Sequence, residues 1–158
     1  MVSQYDETVK KNWRNSACGP TAAHIVLSHY GKHYSINELY RTLGTTRIGL
    51  FTPCLLYNAQ KLLGEGWQVK RASIKTVMTE LTKQRPVLAK FDRFTSLTPW
   101  KPAYYRYHWV VVNSYTIANG RLHFTATSNA KTFNFDYSTN AHALTFVQIS
   151  PKNEATLY

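Results

Sequence analysis

A cysteine that precedes a glycine and a proline, and a histidine ninety residues later, are the residues of this sequence best suited to chemistry. Cys18 stands directly before Gly19-Pro20-Thr21 and an apolar run that ends at Gly31. Proline suits the first turn of a helix, and glycine suits its end. The pattern therefore predicts a helix of about three turns that begins at Cys18.

A thiol in the first turn of a helix faces the positive end of the helix dipole and its free backbone N–H groups. These favour the thiolate, so we expect the pKa of Cys18 to be lowered and the residue to act as a nucleophile. A buried structural cysteine is the alternative. Cys54, near the start of another predicted helix, is better explained as structural, because no histidine-bearing strand is evident as its partner.

A thiol nucleophile needs a base, which is usually histidine. His108 follows a loop and directly precedes an apolar strand, so it can point across at a helix N-terminus. The other histidines fall on or just after the Cys18 helix, inside a strand, or in a polar stretch. These are His24, His29, His33, His123 and His142.

Periodicity predicts an α+β chain with helices first and an antiparallel sheet second. Further helices are expected near residues 36–44, 52–63 and 74–81. Strands are expected at residues 87–91, 109–115, 122–126, 132–135 and 144–149, with a hairpin turn at Asn119-Gly120. The absence of a repeat or linker indicates one domain over residues 1–158.

Composition and net charge limit the kinds of molecule that the protein is expected to bind. The chain has 44% hydrophobic residues and a net charge of +11, but its basic residues are scattered, without a basic helix, zinc-finger spacing or phosphate loop. We therefore expect no nucleic acid, metal or cofactor, and a possible anionic cell-wall or membrane surface as partner. The sequence has neither a membrane span nor a signal pattern, so the protein is either cytoplasmic or, as the charge favours, extracellular or on the cell surface.

The segment at residues 15–31, Asn-Ser-Ala-Cys-Gly-Pro-Thr-Ala-Ala and onward, resembles the opening of papain-like cysteine peptidases of the bacteriocin-leader-processing type. The resemblance continues through Arg85-Pro86-Val87 and Tyr107-His108-Trp109, spans about residues 2–150, and is closest to the stand-alone, not the transporter-fused, branch. It implies a papain-like fold, with an N-terminal helical lobe whose Cys helix packs on a C-terminal antiparallel sheet. It also implies cleavage of a peptide or isopeptide bond through a Cys18 thioester, with His108 as base.

The resemblance leaves two roles open. The family usually has an aspartate that orients the histidine, but residues 125–130 contain no carboxylate, so Asn129 is expected there, with a simple turn residue as the alternative. The family also places a glutamine upstream of the cysteine in the oxyanion hole. The tightest spacing falls on Asn12 and a looser one on Gln4, which we favour.

Substrate contacts are expected from Tyr107 and Trp109, which flank His108, and from Gly19 beside Cys18. The aromatic and basic loop at residues 92–107 is expected to form one wall of the cleft. Its positive charges suggest an acidic or anionic substrate or partner. The net positive charge, together with the family resemblance, predicts a secreted bacterial protein. Two other functions fit the same residues: an acyltransferase or amidase, and a degenerate module that binds peptide without turnover.

Overall fold

The computed structural model describes residues 2–92 and 108–153. Most of its α-helices lie in the first half of the chain, and most of its strands lie in the second half. The helices are α1 (Cys18–His29), α2 (Ile36–Thr42), α3 (Thr52–Leu63), α4 (Ile74–Thr82) and α5 (Tyr137–Asn140). The strands are β1 (Trp67–Ala72), β2 (Val87–Phe91), β3 (His108–Ala118), β4 (Arg121–Ser128), β5 (Lys131–Asp136) and β6 (Leu144–Pro151). Short 3-10 helices cover Lys11–Ser16 and Ala141–Ala143.

The helix boundaries follow their capping residues. Helix α1 begins at Cys18, as expected, and ends just before Gly31, whose φ of +78° only glycine adopts readily. Helix α2 has a capping box, in which the Ser35 side chain accepts from the Glu38 N–H and the Glu38 side chain accepts from the Ser35 N–H. No helix in the described ranges is both long enough and apolar enough to cross a membrane.

The sheet has six antiparallel strands within the described residues, in the order β1-β6-β2-β3-β4-β5. The expected turn at Asn119-Gly120 joins β3 to β4, and both residues have positive φ. Asn129 and Ala130 form an equivalent two-residue turn between β4 and β5. Strand β1 was not expected from the sequence, because its charged and half-buried residues at the sheet edge carry little apolar pattern.

Helices cover both faces of the sheet. Helices α1, α2 and α3 pack on one face around a core that includes Cys18, Leu88 and Trp109. Helix α4 packs on the other face with Phe91 and Phe124. The α+β fold with the Cys18 helix on an antiparallel sheet is therefore confirmed, but the helices do not form one lobe, since α4 lies on the opposite face.

Candidate active site

Cys18 is the first residue of α1, and its side chain is buried, at 7% exposure. Backbone N–H groups of Trp109, Gly19 and Cys18 itself hydrogen bond to the sulfur and act to lower its pKa. Two of these N–H groups come from the free end of the helix and the third from the neighbouring strand β3. The arrangement can stabilise a negative charge that develops at or beside the sulfur.

The pKa of Cys18 is nevertheless raised above its ordinary value. Desolvation by burial is the largest cause, and it outweighs the backbone N–H groups and the nearby positive charge of Lys90. The expectation of a lowered pKa from the helix N-terminus was therefore wrong. The helix position was read correctly, but the sequence did not reveal how completely the surrounding side chains exclude water from the thiol.

His108 begins β3 and lines the same pocket as Cys18. Its Nε2 atom lies 2.5 Å from Ser128 Oγ, at the end of the adjacent strand β4. Burial lowers the pKa of His108 to about 4, so the imidazole is neutral near pH 7. A neutral imidazole is the form that can accept a proton from a thiol.

Asn129 was expected to orient His108, but its side-chain oxygen is hydrogen bonded to other residues. Its Oδ1 accepts hydrogen bonds from the Gln4 N–H at 3.1 Å and from Ser3 Oγ at 3.3 Å. The His108 ring is instead hydrogen bonded to Ser128, one residue earlier. Sequence reasoning missed Ser128 because it sought a carboxylate or amide, although the strand end before the turn marked the right place.

Gln4 is 3% exposed and lines the pocket with Cys18. Its Nε2 donates to the carbonyl oxygen of Arg14 at 2.6 Å, which leaves one N–H of the amide for another acceptor. Among the described residues, Gln4 Oε1 and the nearby Thr21 Oγ1 are buried without a hydrogen-bond partner. Asn12, the other oxyanion possibility, is exposed on the 3-10 helix before α1.

Two of the expected substrate contacts lie within the described residues. The Trp109 ring is 2% exposed, and its Nε1 donates to the Leu50 carbonyl at 2.9 Å, so the ring packs in the core, while the residue also lines the pocket with Cys18 and His108. Gly19 is buried, and a Cβ atom there would lie 2.7 Å from Leu50 Cβ. It therefore allows the Leu50 segment to approach the start of α1. Tyr107 and the rest of residues 93–107 lie outside the described residues.

Lys90 is a second site residue that sequence reasoning missed. The signal was present, since Lys90 is a single charge within the apolar run of β2. The part of the chain that the structure describes contains no cluster of His, Cys, Asp or Glu side chains that could hold a metal ion.

A thiol at a helix N-terminus that shares a pocket with a histidine at a strand start is the arrangement of papain-like cysteine peptidases. Residues 1–150 match the peptidase C39-like family, and the chain belongs to that family. The fold is accordingly that of a cysteine-peptidase-like domain.

A solved structure with the same fold is the peptidase domain of Streptococcus ComA, a bifunctional ABC transporter involved in a quorum-sensing pathway. The TM-score is 0.62 at 17% sequence identity, and the match covers 87% of this chain and 93% of that domain. At this identity the likeness describes the fold alone. No curated protein matches the sequence.

Proposed function

We propose that this protein is a cysteine peptidase that cleaves a peptide or isopeptide bond through a thioester on Cys18. The observation that carries the proposal is the convergence of Cys18, His108 and Gln4 on one pocket at the N-terminus of α1. Family membership supports the class of reaction. Each of these three residues has a proposed role in acyl transfer.

The first step starts from a neutral pair, because the pKa of Cys18 is raised and that of His108 is lowered. His108 accepts the thiol proton as the sulfur attacks the carbonyl carbon. We assign this proton to Nδ1, in the tautomer whose Nε2–H donates to Ser128 Oγ. The proton then passes to the leaving amine as the C–N bond breaks, and the acyl group remains on sulfur.

The negative oxygen that forms during attack needs hydrogen-bond donors in place beforehand. The Cys18 N–H at the start of α1 is one such donor, and the remaining N–H of Gln4 Nε2 is the second. The Gln4 backbone is held by Asn129, and its amide by the Arg14 carbonyl, so the donor is fixed in position. Water then attacks the thioester carbon, and the proton that it loses returns to the sulfur through His108.

The experiment is cleavage of a mixed peptide library, followed by mass spectrometry of the products, with the parent protein and Cys18→Ala. We expect Cys18→Ala to lose cleavage and Cys54→Ala, the matched control, to retain it within about twofold. Circular dichroism shows whether both variants are folded. Cleavage by folded Cys18→Ala at the parent rate would contradict the proposal.

A peptide-binding module without turnover is the second candidate. The observation in its favour is that His108 is hydrogen bonded to a Ser128 hydroxyl, which supports an imidazolium less strongly than a carboxylate does. The same experiment separates the two functions. A binding module retains peptides of one sequence class uncleaved, and Cys18→Ala retains them equally well.

A further inference from the structure

Lys90 is a buried cation on the face of the sheet that carries the nucleophile. It is 7% exposed, and every residue of β2 is buried. Side chains alternate along a strand. Ala89 and Phe91 belong to the core on the α4 face and Leu88 to the core around α1, so Lys90 points to the same side as Leu88 and Cys18.

The surroundings of the ammonium group connect it to the active site. Lys90 pairs across the sheet with Trp109, and its Nζ lies 5.7 Å from the centroid of the Trp109 ring. That same Trp109 lines the pocket that holds Cys18 and His108, and its backbone N–H acts to lower the pKa of Cys18. Lys90 Nζ also donates to Thr52 Oγ1 at 3.1 Å and lies 3.5 Å from Asp92 Oδ1.

A cation in this position is costly for stability. An ammonium group loses hydration when it is buried, and an apolar side chain of similar volume is often at least as stable. A buried charge on the Cys18 side of the sheet, at a position where an apolar residue would serve stability as well, is therefore a candidate for a role in the chemistry.

We propose that Lys90 tunes the nucleophile: its buried ammonium is the fixed positive charge that stabilises the Cys18 thiolate as the thiol gives up its proton. The sulfur bears negative charge from proton transfer until it bonds to the carbonyl carbon, and again when the thioester is hydrolysed. Lys90 forms no bond with the substrate. The inference deepens the proposed function and rests on it for the acyl transfer, whereas the effect on the thiol does not depend on a substrate.

The charges around Cys18 agree with this role. His108, which faces the thiol from β3, has its pKa lowered to about 4, so it carries no positive charge near pH 7 before it receives the thiol proton. The N-terminal segment contributes the uncharged Gln4. From β2, the charge of Lys90 lowers the pKa of Cys18 against the larger effect of burial.

The test is the pH dependence of Cys18 alkylation by iodoacetamide, measured in a Cys54→Ala background so that one thiol reacts. We expect Lys90→Met to move the midpoint of the alkylation profile upward, because the positive charge of Lys90 acts to lower the pKa of Cys18. Lys90→Arg, which keeps the charge, should restore the midpoint of the parent. Urea unfolding should show Lys90→Met to be at least as stable as the parent, which a purely structural role does not predict.

The matched control is Lys70→Met, which removes one positive charge from an exposed position on β1 and should leave the midpoint unchanged. If Lys90→Met does not fold, Lys90→Gln takes its place, since an amide can still donate to Thr52. A midpoint equal to that of the parent in the folded neutral variant overturns the inference. Because alkylation needs no substrate, the result is independent of whether the protein proves to be a peptidase.

Discussion

The two cysteines of this protein occupy similar local positions but different surroundings. Cys18 is the first residue of α1, and Cys54 is the third residue of α3, where it follows Thr52-Pro53. Cys18 shares a pocket with His108 and is hydrogen bonded by an N–H of β3. Cys54 is half-buried and packs against the core and the loop after α2.

The comparison teaches that a helix N-terminus is not sufficient for a nucleophile. Both thiols have the dipole and the free N–H groups of a first turn. Cys18 differs from Cys54 because strands β3 and β4 border its pocket and place His108 and Ser128 there, at neighbouring strand ends. Four predictions test whether these surroundings, and not the helix position, make the difference.

The largest effect is expected from His108→Ala. Loss of a general base typically lowers the rate by about 10²–10⁴-fold, because β3 then no longer supplies an acceptor for the thiol proton. The measurement is kcat/KM on a peptide that the parent protein cleaves. His123→Ala, on strand β4, is the control and should stay within about twofold of the parent. Full activity of His108→Ala would show that the comparison is wrong.

Acid should destabilise the folded protein through the region of Cys18. His108 has a folded-state pKa of about 4, below its ordinary value of 6.5, so the unfolded chain binds this proton more tightly. The free energy of unfolding should therefore fall as the pH drops from about 6.5 to about 4, by roughly 3 kcal/mol from this residue. Urea unfolding of the parent and His108→Gln at pH 7 and pH 4.5 measures the effect. The variant should lose less stability, and equal losses would contradict the burial of a neutral imidazole.

Two glycine variants separate stability from reactivity at the two thiols. Gly19→Ala places a Cβ 2.7 Å from Leu50 Cβ, and Gly44→Ala places one 3.9 Å from Cys54 Cβ at a φ of +79°. Both should lower the free energy of unfolding by about 1–3 kcal/mol. Only Gly19→Ala should also reduce peptide cleavage by the folded protein, because the displaced Leu50 segment borders the start of α1. An equal loss of cleavage in Gly44→Ala would mean that the two regions are not separate.

The smallest effect is expected at the end of β4. Ser128→Ala removes the hydroxyl at His108 Nε2, and loss of about 1 kcal/mol of hydrogen bonding should reduce kcat about fivefold. Asn129→Gly keeps the positive φ of the turn but removes the acceptor for Gln4. Titration of the His108 ring by NMR should change in Ser128→Ala and not in Asn129→Gly. The reverse result would assign the orienting role to Asn129.

Local signals made much of the fold predictable. Pro20 and Gly31 bounded α1, Ser35 and Glu38 formed the capping box of α2, and Asn119-Gly120 formed the β3–β4 turn. Each of these depends on residues within a few positions of one another, which a sequence pattern can show. Strand β1 carries its apolar contacts on Trp67, Val69 and Ala72, too few and too irregular to make its pairing with β6 visible in the sequence.

The sequence predicted which site residues stand at the ends of helices and strands. It did not predict how burial changes their pKa values. Cys18 and His108 stand at the start of α1 and β3, where the sequence marks them. The raised pKa of Cys18 depends on how side chains distant in sequence exclude water. Lys90 and Ser128 each had a local signal, a lone charge in β2 and a strand end, but only tertiary packing brings them beside Trp109 and His108.

The most direct test of the central claim is to find where the acyl group resides during turnover. A peptide ester substrate is mixed with the protein, the reaction is quenched in acid within the first turnover, and the adduct is located by peptide mapping. We expect one acyl group on the fragment that contains Cys18, and none on the fragment that contains Cys54. Cleavage of the substrate with no adduct, or with the adduct on Cys54, would contradict a thioester on Cys18.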